Sequence, residues 1–243
     1  MKLHLPKMLL TAVLAACCIM TTQALTVTEA DGKTTISNEA GWSQEYTTAD
    51  IYAPVSDSLY VHDFPAEQKS ATILMDCGLG YDQVSYTNIG NAGDIIVGGS
   101  GQLFLQTWEK GAINLDNDIY LGASTFEGEG ARAVNAAMRL SEASGNIYLG
   151  GNVTLVEDSQ IWMQGGGNTN TVTFAKGISG AGYKLTTVGM TRTTFGGTVT
   201  LKELDTRIQD GTQATQTSIT LAGATDIETL NVNSSTVITL GET

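Results

Sequence analysis

Asp116 and Asp118, in Asn114-Leu-Asp-Asn-Asp118, stand two residues apart, and Glu127 and Glu129 repeat the spacing. Side chains two apart in a strand project to one face. Two carboxylates on one face are the least equipment for acid–base cleavage of a polysaccharide, one giving a proton and the other acting as base or nucleophile. Glu157 and Asp158 are adjacent and would alternate between faces. An enzyme working on uronates also needs cations beside its acids, and Arg132 and Arg139 are the pair closest together. The competing role for these acids is structural, because Asp and Asn are the usual residues of tight turns and solvated corners. On that reading no residue is catalytic.

Other chemistry has little to work with. Of two histidines, His4 lies in the leader, which leaves His62 in Tyr60-Val-His-Asp63. One histidine argues against a Ser–His–Asp triad and a histidine-rich metal site. Cys17 and Cys18 also lie in the leader, so Cys77 remains alone and reads as a small buried hydrophobe without a basic neighbour in sequence. Glycine-rich turns beside acids raise calcium. However, Gly98-Gly-Ser-Gly101 is followed by Gln102 and Gly165-Gly-Gly167 by Asn168, so the calcium-binding nonapeptide is absent. No metal and no cofactor is expected. Trp108, Trp162 and Tyr183 could stack on sugars or fill a core.

The elements that must hold these residues are short and repeated. Gly93-Asp-Ile-Ile-Val-Gly-Gly-Ser100 recurs as Gly145-Asn-Ile-Tyr-Leu-Gly-Gly-Asn152, with a weaker copy at Asp118-Ile-Tyr-Leu-Gly122. A β-branched strand closed by glycines and reused is the mark of stacked, similar units. Strand candidates are 95–97, 103–105, 113–115, 119–121, 147–149, 153–156, 161–163, 172–174, 199–201, 219–221, 230–232 and 237–240. The related segments start at 94, 118 and 146, and later strands at 199, 219 and 237. These intervals suggest a repeat of roughly 18–28 residues, enough for two or three strands and their corners. Met138-Arg-Leu140 reads as a strand, with a short side helix over 129–144 as the alternative, given Ala131, Ala133, Ala136 and Ala137. The expected fold is all-β: a β-solenoid over 93–243 behind an irregular N-terminal cap over 25–92, in which 59–61 and 72–75 look like strands.

Composition agrees. Charged residues make up only 15% of 243, and Thr, Ser, Asn and 28 glycines supply the polarity instead. The net charge of −13 argues against nucleic acid and anionic lipid as partners. Residues 1–24 read as a signal peptide: Lys2 and Lys7 precede an apolar run, Met8 to Ala16, too short to cross a bilayer. Thr22-Gln-Ala24 places cleavage after Ala24. In the competing reading, Leu14-Ala-Ala-Cys17 is a lipobox and Cys17 is lipidated. Either way the chain is expected to be exported.

Ile178-Ser-Gly-Ala-Gly-Tyr-Lys-Leu-Thr-Thr-Val-Gly189 resembles the autotransporter-associated β-strand repeat of Gram-negative surface proteins. Gly180, Gly182, Leu185, Thr186 and Gly189 hold its positions, and Gly196-Gly-Thr-Val-Thr-Leu201 follows as the next strand. The resemblance implies a right-handed parallel β-helix displayed outside the cell, free or associated with the outer membrane. It also implies a structural or adhesive function toward an extracellular ligand such as a glycan or a host cell surface. It departs in two ways: the repeat's usual closing run is absent, and no translocator barrel of roughly a dozen strands follows. The expectation is therefore a truncated passenger or one that reaches the surface by another route. A β-helix polysaccharide hydrolase or lyase using Asp116, Asp118, Glu127 or Glu129 remains the alternative.

Overall fold

The structure is a computed structural model. It describes residues 25–52, 71–86, 93–107, 111–122, 136–141, 145–163, 170–189, 192–207, 217–232 and 236–241, with backbone alone for 75–86 and 99–101. Residues 1–24 with Cys17, and also His62, Trp108, Glu127, Glu129 and Arg132, lie outside the described residues, as does the side chain of Cys77.

The first three strands form an antiparallel meander: β1 (Thr26–Ala30), β2 (Lys33–Ser37) and β3 (Ser43–Thr47). Asp31 and Gly32 join the first pair, both at positive φ, 50° and 75°. A two-residue hairpin of the type favoured by strand twist needs that conformation twice, and Asp-Gly is among the sequences that supply it. One 3-10 turn, Thr48–Asp50, leads into β4 (Ile51–Tyr52).

From β4 onward every pairing is parallel. The remaining strands are β5 (Thr72–Tyr86), β6 (Ile95–Gln106), β7 (Ile113–Leu115), β8 (Ile119–Leu121), β9 (Met138–Ser141), β10 (Ile147–Leu149), β11 (Val153–Leu155) and β12 (Ser159–Met163). They continue with β13 (Val172–Phe174), β14 (Gly177–Val188), β15 (Thr193–Phe195), β16 (Thr198–Arg207), β17 (Thr217–Leu221), β18 (Thr225–Asn231) and β19 (Thr236–Leu240). Three ladders result. The first joins β4, the opening halves of β5 and β6, β8, β11 and the opening halves of β14, β16 and β18. The second joins the closing halves of β5 and β6, then β9, β12 and the closing halves of β14, β16 and β18. The third runs β7, β10, β13, β15, β17 and β19. From β6 onward the chain visits the ladders in the same order in every layer. Parallel register is continuous across residue 93, since Ile73 pairs with Ile95.

In β7–β17 inward residues largely alternate with outward ones, and the inward residues of all three ladders meet in one apolar cluster. One column runs Ile73, Ile95, Ile119, Val153, Ile178 and Val199, and another Leu115, Leu149, Phe174, Phe195 and Leu221. Burying such a side chain is worth about 1.5–3 kcal/mol. No layer buries enough alone to offset the ordering of its backbone, so layers are stable only as a stack. Polar residues also turn inward in the third ladder: Thr217 Oγ1 donates to Thr236 Oγ1, whereas the Thr193 hydroxyl is buried and unbonded.

Two expectations change. The near-identical peptides at 93–100 and 145–152 are not equivalent: Ile95–Val97 belongs to the first ladder and Ile147–Leu149 to the third. The true partner of Ile119 in the next layer is Val153. Likewise 199 and 219 lie in different ladders of one layer, and Ile219 steps to Ile238. Corresponding residues along the first ladder are 21 to 34 positions apart, an interval varied by the loops. Ile95, Ile119 and Ile147 each follow an Asp or Asn and open a strand segment followed by glycine, yet they serve two ladders, so local likeness marks an entry and not a place around the stack. The second change concerns the meander. It lies across the outer face of the first ladder, where Leu25, Ile36, Trp42 and Tyr46 pack with Leu74, Ile96, Tyr120 and Val156. Met138–Ser141 is a strand, as one of the two readings of that segment had it, whereas 123–135 and 142–144 lie outside the described residues.

Candidate functional site

Asp116 and Asp118 follow β7 and flank Asn117, whose side chain is buried and donates from Nδ2 to the Gly93 carbonyl at 2.7 Å. Asp116 is exposed at a corner, beside Gly150 of the next layer. Asp118 enters β8, and its Oδ1 accepts from the backbone N–H of Asn152 at 2.7 Å and from Asn152 Nδ2 at 2.9 Å. The two acids therefore have different surroundings, and Asp118 is bonded to the residue stacked beneath it.

That bond recurs. Asn146 Oδ1 accepts from the backbone N–H of Thr171 at 2.9 Å, and Asp158 Oδ1 from that of Lys184 at 2.8 Å. In all three cases an Asp or Asn just before a strand accepts from the corresponding residue one layer on. These residues are layer-to-layer brackets, satisfying an N–H that precedes the ladder's own bonds. Replacing Asp118 with Asn keeps an acceptor and should leave the unfolding free energy within about 0.5 kcal/mol. Replacing it with Ala should cost about 1–2 kcal/mol. Urea unfolding of the two variants checks this, and equal losses would mean that the charge, not the acceptor, matters.

Glu157 is buried and Asp158 exposed, so the adjacent pair does alternate. Arg139 lies between two rings, its guanidinium 4.2 Å from the centre of Phe104 and 4.5 Å from that of Trp162. The three residues are in register on β6, β9 and β12. Trp162 is 5% exposed, so it is packing and not an open platform for sugar. Tyr183 is half-buried and meets Asn38 Nδ2 at 3.3 Å through its hydroxyl. Tyr46 donates to Asp94 Oδ2 at 2.8 Å; burial and then that carboxylate push its pKa well above the usual phenol range, holding the proton in place.

The densest group of charges was not singled out in the sequence. Lys184 Nζ lies 2.7 Å from Glu203 Oε1 and 3.0 Å from Asp205 Oδ2, and Arg207 bonds the same Asp205 oxygen at 2.8 Å. Asn231 Nδ2 donates to Glu203 Oε1 at 2.8 Å. The group ties β14, β16 and β18 on the outer side of the second ladder. The signal was present: Glu203, Asp205 and Arg207 alternate with Leu204 and Thr206, which are buried. Lys184 Nζ holds Glu203 below its usual pKa, and Glu203 raises that of Lys184 in return. Burial acts to raise the Asp205 pKa, but hydrogen bonds from Arg207 and Lys184 outweigh it and the net shift is downward. With its carboxylates held ionised and its amine held protonated, the cluster clamps neighbouring strands together.

The shifts fix a pH dependence. A lowered carboxylate pKa adds stability above its unfolded value, and this is lost as pH falls through the lower folded value. A raised amine pKa adds stability that is lost only as pH climbs past the ordinary lysine range. The melting-temperature gap between the wild type and Asp205→Asn should therefore be widest near neutrality and close as pH falls from about 4 to 2. A gap unchanged across that range would show that the network adds nothing through its charge.

Among the described residues no three of His, Cys, Asp and Glu converge as metal ligands. The chain matches no protein-family model, no curated protein and no solved structure.

Proposed function

We propose that the chain is an exported right-handed parallel β-helix serving as a surface-exposed or secreted structural and adhesive module, similar to autotransporter passengers. The observation that carries this reading is the use of polar residues: Asp118, Asn146 and Asp158 bracket one layer to the next. A fold that commits its repeated acids to stacking is built to hold a long surface. Handedness rests on a general rule, since crossover connections between parallel strands are right-handed in nearly all known cases. The cleavable leader rests on residues 1–24 of the sequence.

The surface offered to an extracellular ligand is the outward file of the third ladder: Asn114, Tyr148, Thr173, Thr194, Thr220 and Thr239. It carries no charge in a chain of net charge −13, and Tyr148 is 42% exposed. Such a file suits a neutral glycan or cell-surface polymer, with the ring for stacking and the hydroxyls for hydrogen bonds.

Protease shaving of intact cells and N-terminal sequencing of the full-length product test export. Chain kept inside with its leader attached would sink the reading. Binding of the purified protein to immobilised neutral glycans tests adhesion, with Tyr148→Ala expected to weaken it. Polysaccharide turnover that disappears in Asp116→Asn would replace the proposal with the enzymatic one.

A further inference from the structure

The earliest described segment of the chain docks on residues that come much later. Leu74, Ile96 and Tyr120 form consecutive positions of one outward file in the first ladder. They are apolar or aromatic, whereas the positions that continue the file, Thr154, Ser179 and Thr200, are polar. Leu74 and Ile96 are buried under the β1–β3 meander, and Tyr120 meets Trp42 with ring centres 5.4 Å apart. Leu25 is seated over two glycines of that ladder: a Cβ at Gly98 would come 2.5 Å from Leu25 Cδ1, and one at Gly122 would touch its Cγ. Asn38 fastens the far side, donating from Nδ2 to the Val156 carbonyl and to the Tyr183 hydroxyl. The footprint thus draws on five successive layers, from Leu74 to Tyr183.

The meander has little of its own to hold it. All of β1 is exposed, whereas Ile36 packs with Leu74, Ile96 and Val156 and Asn38 is buried against Val156 and Tyr183. A small antiparallel sheet without a packed face is marginal in water. The docking site, in turn, does not exist until its five layers are in register.

We infer that β1–β3 is a closing strap: made first, it docks last, across five layers already in register. Until then the file Leu74–Ile96–Tyr120 is open to solvent. The inference is independent of where the chain acts.

Pulsed hydrogen exchange during refolding of the full chain tests it without any substitution. Amides at 34–36 and 44–46 should gain protection after those at 147–149, 161–163 and 185–188. Simultaneous or earlier protection of the meander overturns the order. In native-state exchange, Ile36→Asp should speed the meander amides by at least about tenfold and leave 147–149 and 161–163 as in the wild type. Unchanged meander amides would deny the docking. Equal loss in both regions would make the meander part of the stack and not a strap upon it.

Discussion

Phe174→Ala will lower the unfolding free energy by about 3–5 kcal/mol, read from the shift in urea midpoint at constant slope. Phe174 and Phe195 are both fully buried, in register on β13 and β15, with ring centres 4.8 Å apart and planes inclined by 23°. Their column is capped by Leu149 on one side and Leu221 on the other. Removing one ring loses its transfer free energy and leaves a cavity in a layer that cannot collapse, because strand spacing is set by backbone bonds at about 4.8 Å. Phe174→Leu refills most of the space and should cost under about 1.5 kcal/mol. Phe174→Ala with Phe195→Ala should cost less than the two singles added, since neighbours that share a contact and a cavity are coupled. Tyr148, outward and exposed on the adjacent strand β10, supplies the contrast: Tyr148→Ala should stay within about 0.5 kcal/mol. A Phe174→Ala loss below about 1 kcal/mol would contradict the stacked column.

Gly177→Ala should be as damaging without touching the core. Gly177 opens β14 at φ +81°, a conformation that costs an L-residue about 1–2 kcal/mol. Its absent Cβ would also overlap the Thr198 carbonyl, its partner in the adjacent layer, and crowd Gly197. Those obstacles are backbone, so relief means separating β14 from β16 and stretching their ladder. The combined loss is expected at roughly 3–5 kcal/mol. Gly182 is the control on the same strand: a Cβ there meets nothing within 4 Å, and its φ lies outside the left-handed range. Gly182→Ala should be neutral or raise the melting temperature slightly by restricting the unfolded chain. Similar melting temperatures for the two variants would refute the argument.

Most parallel strands could be read from short local patterns. Ile113-Asn-Leu115, Ile119-Tyr-Leu121, Ile147-Tyr-Leu149 and Val172-Thr-Phe174 each carry two apolar residues around an outward one, and each is a strand with its ends inward. Thr193–Phe195 was missed because it offers one apolar residue and two threonines, and Thr193 is inward only because Val172 and Ile219 flank it. Ile178–Gly189 stood out as a resemblance to a repeat and was not among the strand candidates, yet Gly177–Val188 is one twelve-residue strand. The meander was legible in one place: Asp31-Gly32 is a hairpin signal, but apolar alternation around it is too sparse to suggest strands.

The candidate site was less legible than the fold. The spacing of Asp116 and Asp118 suggested one face of a strand, with a corner as the competing reading; both lie between β7 and β8, and spacing carries no information about partners. Asn152, 34 residues away, turns Asp118 into a bracket. Lys184 does the same for Asp158, and the Lys184–Glu203–Asp205–Arg207 group needs three strands in register before any charge meets another.

The sequence by itself determined where strands begin, which side of each is apolar and where glycine lets the chain turn, because these depend on neighbours a few residues apart. Tertiary structure alone decided which strand lies beneath which. Connections of unequal length leave the layer interval between 19 and 35 residues, so a peptide at a strand entry fits any of three ladders equally well. The choice falls to the sum over whole columns, in which one residue of slippage would turn every inward side chain outward. For that reason Gly93–Ser100 and Gly145–Asn152, alike in sequence, serve different faces of the stack.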